Sequence, residues 1–285
     1  MPGELAGTFN PVDYGFGVIH TEPLTRQEQD VGVASLYRRA RARTGVAIPA
    51  LDPYLVRESY DPEPARALIA KHDELTYPYV CTFGGAELEI DEGVFCPTLT
   101  NASPFLLTAL RVKPGERVLD AFSGSAAFGV HAALCGADVV AFDTSDLAVR
   151  CATKNALLNN VAGNVDVRLG TLNQVVAPDE KFDLIIANPP LIPGEPSDAL
   201  DAALFDAGLQ ATVDLIVSLP THLSRKGRCY LLTSDVIDRN GYTCNISQLC
   251  RQSGLKMSIV AQLHRDYESY RVHKIEKRSL LSFLA

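Results

Sequence analysis

From Arg117 onward, short apolar runs alternate with amphipathic stretches and little chain is spent between them. Val118–Asp120, Asp138–Asp143, Val165–Leu169, Phe182–Ala187 and Gly227–Thr233 read as strands. Ala126–Cys135, Ser145–Asn159, Asp206–Leu219 and Ile246–Ser253 read as helices, with Ser145 as a cap and Gly254 as a stop. The strands are apolar at successive positions. That pattern predicts burial on both faces, hence an α/β fold with a mostly parallel sheet between two helix layers. Two strands in a row, Met257–Leu263 and Val272–Leu284, predict an antiparallel edge hairpin.

The first hundred residues follow a different pattern. Residues 1–24 carry Pro, Gly and aromatics without a period and read as an extended arm. Thr25–Arg43 reads as a helix capped by Thr25, with Glu28 at the capping-box spacing and Gly45 as its stop. Its Arg38, Arg39, Arg41 and Arg43 read as a solvated face. Four prolines in 49–64 make a linker, and Pro64–Leu75 a second helix. In Tyr79–Phe95, Leu88 and Ile90 alternate with Glu87, Glu89 and Asp91 beyond Gly84–Gly85, which predicts a β-hairpin. Thr98, Thr100, Asn101 and Ser103 then lead into a helix at Pro104, whose N-terminus suits an anion such as a carboxylate. The chain therefore divides into an extension over 1–103, a candidate lid or substrate region, and a main domain over 104–285.

Composition narrows the function. With 285 residues and 47% hydrophobic content, a sizeable core is available. No apolar run approaches the roughly 20 residues of a membrane span. The N-terminus lacks the basic and apolar regions of a secretion signal. Seven scattered cysteines without CxxC pairs predict reduced thiols in a cytoplasm. His131, His222, His264 and His273 have no metal-ligand spacing. The net charge of -8 disfavours a nucleic-acid partner, although residues 251–285 hold 7 Lys/Arg against 3 Asp/Glu.

The chemistry lies at two strand ends. After Val118-Leu119-Asp120, the small residues Ser123, Gly124, Ser125 and Ala126 let a ligand approach the backbone at a helix N-terminus. The turn lacks G-x-G-x-x-G, and a carboxylate at Asp120 repels a pyrophosphate but suits an ammonium group. Asp143 closes the next strand, placed for the two hydroxyls of a ribose. A ribose with an amino-acid tail and no phosphates describes S-adenosyl-L-methionine.

Val118 to Asp143 resembles the opening of a class I S-adenosylmethionine-dependent methyltransferase. The stretch DAFSGSAAFG, with Phe122 and Ala126 where glycines are commoner, is most similar to ribosomal guanine exocyclic-amine methyltransferases. Asn155 and Asn159 fit that family's helix after the ribose acid. The resemblance implies a Rossmann-like, seven-stranded sheet. It implies cofactor contacts at Asp120, Phe122, Ser123, Gly124, Ala126, Asp143, Thr144, Thr171, Leu172 and Asn188, with Thr171 or the backbone replacing an acid beside the adenine. In this family an Asn-Pro-Pro stretch, here Asn188-Pro189-Pro190-Leu191, marks methylation of a planar nitrogen. The physical reason is readable. Such a nitrogen is a poor nucleophile because its lone pair is conjugated. Acceptance of its N–H bonds by the Asn188 oxygen and the Pro189 carbonyl draws it toward tetrahedral geometry, and rigid prolines fix both acceptors.

Phe83-Gly84-Gly85, the hairpin, Gly93-Val94-Phe95, Pro97 and later Asp206 resemble glutamine methyltransferases of translation release factors, with Thr98 where those have arginine. Phe95, Pro97, Thr98, Asn101, Leu191 and Asp206 are the implied substrate contacts. A protein glutamine and a small metabolite are both candidate acceptors, with a nucleic-acid base third. A cofactor-binding module without catalysis is the rival of another class.

Overall fold

The structure is a computed structural model. It describes residues 63–278 apart from 193–194, 207–208, 236–241 and 266–267. The expected arm, the Thr25–Arg43 helix and most of the proline-rich linker lie outside the described residues, as does the end of the last predicted strand.

The sheet has seven strands: β3 (Arg117–Ala121), β4 (Asp138–Asp143), β5 (Val165–Leu169), β6 (Phe182–Ala187), β7 (Leu223–Ser234), β8 (Leu255–Arg265) and β9 (Glu268–Lys277). Their order is β5-β4-β3-β6-β7-β9-β8. The first five are parallel, and β9 and β8 run antiparallel at the edge. Apolar runs place these strands centrally: Val118 and Leu119 of β3, Phe142 of β4 and Leu184–Ile186 of β6 are all buried. Residues alternate between the faces. Val118, Val139, Leu184 and Ile186 pack into one core, and Leu119, Val140, Phe142 and Ile185 into the other. The chain leaves β3 toward β4 on one side, while β6 lies on the other. That switch point opens a crevice at the C-terminal ends of β3 and β6.

The first core also takes in the hairpin β1 (Tyr79–Phe83) and β2 (Ala86–Ile90) and the helix α2 (Ala102–Ala109). Residue 103 therefore marks no break in packing: Phe83, Leu88, Phe105 and Leu106 share one buried cluster with Val118 and Val272. A two-stranded hairpin is marginal alone. This one is held by two helices, α3 (Ala127–Leu134) and α4 (Asp146–Leu158). From α4, Asn155 Oδ1 accepts from Glu89 N at 2.8 Å and Asn159 Oδ1 from Glu87 N at 3.0 Å. Asn159 Nδ2 also donates to Glu87 O at 2.7 Å. The two amides act as a substitute strand along the free edge of β2. From α3, His131 Nδ1 lies 2.7 Å from the Gly84 carbonyl, which can only accept, so Nδ1 carries the proton.

Gly84 and Gly85 form the two-residue loop with φ of 58° and 86°, as such a hairpin turn requires. They differ in space. A Cβ on Gly84 would stand 2.7 Å from His131 Nδ1, whereas one on Gly85 would meet nothing within 4 Å. Gly85→Ala is expected to cost about 1 kcal/mol, the left-handed penalty alone. Gly84→Ala should cost about 3 kcal/mol, because the hairpin must also lift off α3. Urea midpoints of the two variants check this, and equal losses would refute it.

The helix α1 (Glu63–Asp73) docks through His72, which is buried. His72 Nδ1 donates to Leu68 O at 2.8 Å, and Nε2 accepts from Cys96 N at 2.9 Å. This pins the segment between β2 and α2 against the crevice. At the other end of the chain, β7 starts at Leu223, four residues before the expected Gly227. Ser-Arg-Lys, which belongs to none of the predicted elements, forms a bulged strand start, with a register shift opposite Phe182 and Leu184. Gly227 is required there, since a Cβ would lie 2.6 Å from Phe182 O. Among the described residues three helices cover the second face: the single-turn α5 (Leu172–Val175), α6 (Gln210–His222) and α7 (Tyr242–Gln252).

Candidate active site

A cavity of about 1090 Å³ fills the crevice, at the upper end of the range for small-molecule sites of about 300–1,000 Å³. One half is the turn after β3 and the ends of β4 and β5. Phe122, Ser123, Gly124, Asp143, Thr144, Thr171 and Leu172 all line it. Phe122 adopts φ 61°, unusual for a bulky residue, and its ring meets Phe142 edge-on at 5.6 Å. Gly124 N donates to Asp143 Oδ2 and Ser145 N to Asp143 Oδ1, both at 2.9 Å. Asp143 thus shapes the turn as well as facing the cavity. Burial pushes its carboxyl pKa up, and the backbone N–H bonds oppose that. Thr171 N and Oγ1 both donate to Gln174 Oε1 at 2.9 Å, which fixes the threonine at the start of α5.

Two of the expected cofactor residues do not line the cavity. Ala126 is fully buried at φ 56° and starts α3. Asp120 is 1% exposed, and its Oδ2 accepts from Gly129 N at 2.8 Å. The reason is strand parity: Asp120 shares a face with Val118 and so lies under α3, where Gly129 allows the close approach. A Cβ on Gly129 would stand 2.9 Å from Asp120 Oδ2. Asp120 is therefore a brace beneath the turn, outside the cavity lining.

Burial, reinforced by the nearby charge of Asp143, pushes the Asp120 pKa up to about 8 from its ordinary 3.8. The folded chain keeps a proton that the unfolded chain loses near pH 4. The Asp120 contribution to stability should fall as pH rises from about 4 to about 8, by on the order of 1.4 kcal/mol per pH unit, whereas His72, His131 and His273, whose pKa values burial lowers, act in the opposite sense below about pH 6.5. Asp120→Asn carries no such proton. Between pH 5 and 8 its urea midpoint should gain steadily on the wild-type midpoint, and parallel profiles would mean that Asp120 is ionised in the fold.

The other half of the cavity is formed by the loop after β6 and the segment between β2 and α2. Asn188, Pro189, Pro190 and Leu191 follow β6 and line the cavity, together with Phe95, Pro97, Thr98, Asn101 and Asp206. Asn188 Nδ2 donates to Ser103 Oγ at 3.1 Å. Beyond Leu191 the chain is tied back on itself: Ile192 N donates to Leu204 O at 2.9 Å, and Asp206 N to Ile192 O at 2.8 Å. This strap brings Phe205 to the cavity wall. Asp206 Oδ2 accepts from Ala211 N at 2.7 Å, so its carboxylate caps α6. The helix accordingly begins at Gln210, later than the periodicity predicts. Lys71, Ser103, Asn173, Phe205 and Asp214 also line the cavity. Only Ser103 carried a sequence signal, from its place in a run of small polar residues. Of the two tyrosines near the end, Tyr270 lines the wall and Tyr267 lies outside the described residues.

The family model of the methyltransferase small domain matches residues 86–238, more than half of the chain. The chain belongs to this family. Among the relatives of this methyltransferase-family chain is the ribosomal protein L11 methyltransferase of Desulfitobacterium hafniense. It is 39% identical over 104 residues, which are 35% of this chain and 33% of the relative. Another is the tRNA (uracil(54)-C(5))-methyltransferase of Pyrococcus horikoshii, 40% identical over 78 residues, 27% of this chain and 18% of the relative. The chain thus spans a third or less of the length of these two curated relatives. The crystal structure of Trm5b from Pyrococcus abyssi shares the fold at 18% identity, with a TM-score of 0.51, over 71% of this chain and 56% of that one.

S-adenosyl-L-methionine is the cofactor of this family, and the residues present fit it. The Ser123 Oγ is buried at the cavity with no hydrogen-bond partner among the described residues, as a polar ligand tail would require. A Cβ on Gly124 would meet nothing within 4 Å, which leaves the turn open to a ligand. Asp143 offers the carboxylate for a ribose, and Phe122 and Leu172 offer apolar surface for a base. Among the described residues no cluster of His, Cys, Asp or Glu could hold a metal ion. No described helix is long and apolar enough to cross a membrane.

Proposed function

We propose that the protein is an S-adenosylmethionine-dependent N-methyltransferase whose acceptor is a planar nitrogen of a small molecule or of a protein glutamine. One observation carries this reading. Asn188 lies in the shared wall of the cavity, between the cofactor turn and the acceptor segment, with two prolines immediately behind it. S-adenosylmethionine supplies an electrophilic methyl group. The Asn188 Oδ1 and the Pro189 carbonyl accept the acceptor's N–H bonds, hold its lone pair on line and weaken its conjugation, so no strong base is needed. Phe95, Pro97, Leu191 and Phe205 exclude water from the acceptor side.

A nucleic-acid base is the second reading, favoured by relatives whose names include RNA methyltransferases. Against it stand the net charge of -8 and the strap, on which Glu195 and Asp198 are exposed. Acids at that place repel a phosphate backbone. The deciding experiment is methyl-labelled S-adenosylmethionine with a cell extract separated into protein, RNA and small molecules. Label in protein or small molecules supports the proposal, and label in RNA alone supports the second reading. Tight S-adenosylhomocysteine binding without transfer to any fraction would instead indicate a binding module.

A further inference from the structure

We infer that Ser103 is a positioning residue for methyl transfer, because its hydroxyl receives the Asn188 NH2 and so leaves the amide oxygen as the end that meets the acceptor. The inference rests on the reading of Asn188 given above. The two ends of an amide side chain are nearly equal in size and opposite in polarity. Turned one way, Asn188 offers an oxygen to an incoming N–H. Turned the other way, it offers N–H against N–H and repels the acceptor. Rigid prolines fix the backbone of the loop but leave the amide free to turn about its last side-chain bond, so something else must choose the end.

Ser103 holds the orientation seen in the structure, in which its hydroxyl accepts from Nδ2. It is 1% exposed, in the first turn of α2. Phe105, Leu106 and Leu107 bury that helix in the first core. Its hydroxyl stands 3.1 Å from Asn188 Nδ2 across 85 residues of sequence. Among the described residues no group donates to Asn188 Oδ1. The same bond ties the reaction loop to the chain that carries Thr98 and Asn101 to the acceptor side. Asn188 is therefore registered against the acceptor wall as well as oriented.

The test uses the full-length protein, methyl-labelled S-adenosylmethionine and the extract fraction that accepts label. Ser103→Ala should lower kcat by about 10-fold to 100-fold, the scale of a misplaced catalytic group. The S-adenosylhomocysteine Kd and the KM for S-adenosylmethionine should stay within about twofold, as expected for a group acting on turnover alone. Ser103→Thr, which keeps the hydroxyl, should recover most of the rate. In an Asn188→Ala background, Ser103→Ala should have no further effect, since it acts through that amide. An unchanged kcat would overturn the inference. So would a loss that adds fully to that of Asn188→Ala, or one matched by lost cofactor affinity.

A second arm is independent of turnover. The Asn188 side-chain NH2 resonances, assigned by their disappearance in Asn188→Ala, should exchange slowly with solvent in the wild type and quickly in Ser103→Ala. Fast exchange in the wild type refutes the contact itself. Slow exchange without methyl transfer to any fraction would leave the contact standing and remove the methyltransferase reading.

Discussion

Asn188→Ala is expected to lower methyl transfer by about 100-fold to 1000-fold, the range found when one preorganised polar group is removed from a reaction centre. The affinity for S-adenosylhomocysteine should change by no more than about threefold. The asymmetry follows from what the side chain touches. Its side chain bonds Ser103 at the far wall of the cavity, whereas the turn after β3 is shaped by Asp143 through Gly124 and Ser145. Loss of the amide therefore strips an acceptor from the transition state and leaves the cradle intact. Isothermal titration with S-adenosylhomocysteine and a single-turnover label assay separate the two quantities. Equal losses in both would make Asn188 a structural residue of the crevice and remove the basis for N-methylation.

Asp143→Ala should do the reverse, with cofactor affinity as its first casualty. Each of its carboxylate oxygens receives one backbone N–H, from Gly124 and from Ser145. Removing it leaves the turn without its brace and, on the proposed reading, takes away the carboxylate that meets the ribose. Charge-assisted bonds are worth about 1.5–3 kcal/mol each, so the S-adenosylhomocysteine Kd should rise by about 100-fold. Asp143→Asn keeps one oxygen acceptor and should lie between. A Kd within threefold of the wild type for Asp143→Ala would show that the turn does not hold a ribose. Thermal unfolding of the cofactor-free variants separates loss of binding from loss of fold.

The central sheet is legible in the sequence because its strands are fully buried, and full burial leaves apolar runs such as DVVAFD and DLIIANPPL. The two strand ends are legible for a related reason: only a small-residue turn and a proline-locked turn permit what those places must do. The direction of Asp120 is legible in the period-2 alternation, since Val118 and Asp120 must share a face. The Ser103–Asn188 bond and the Ile192–Phe205 strap were beyond reach. Both join residues whose proximity depends on tertiary packing, and neither leaves a local pattern. The extended β7 was hidden for the opposite reason: Ser-Arg-Lys-Gly carries a strong local turn signal, which the pairing of Leu223 with Phe182 overrides.

The amides of Asn155 and Asn159 have a consequence beyond fastening the hairpin. A strand with an open edge is a template on which another chain can add itself, and short alternating segments are most exposed to this. Along β2 the groups that would recruit such a neighbour, Glu87 N and O and Glu89 N, are already engaged by side chains of α4. The helix α4 thereby also closes this edge of β2 to a second chain.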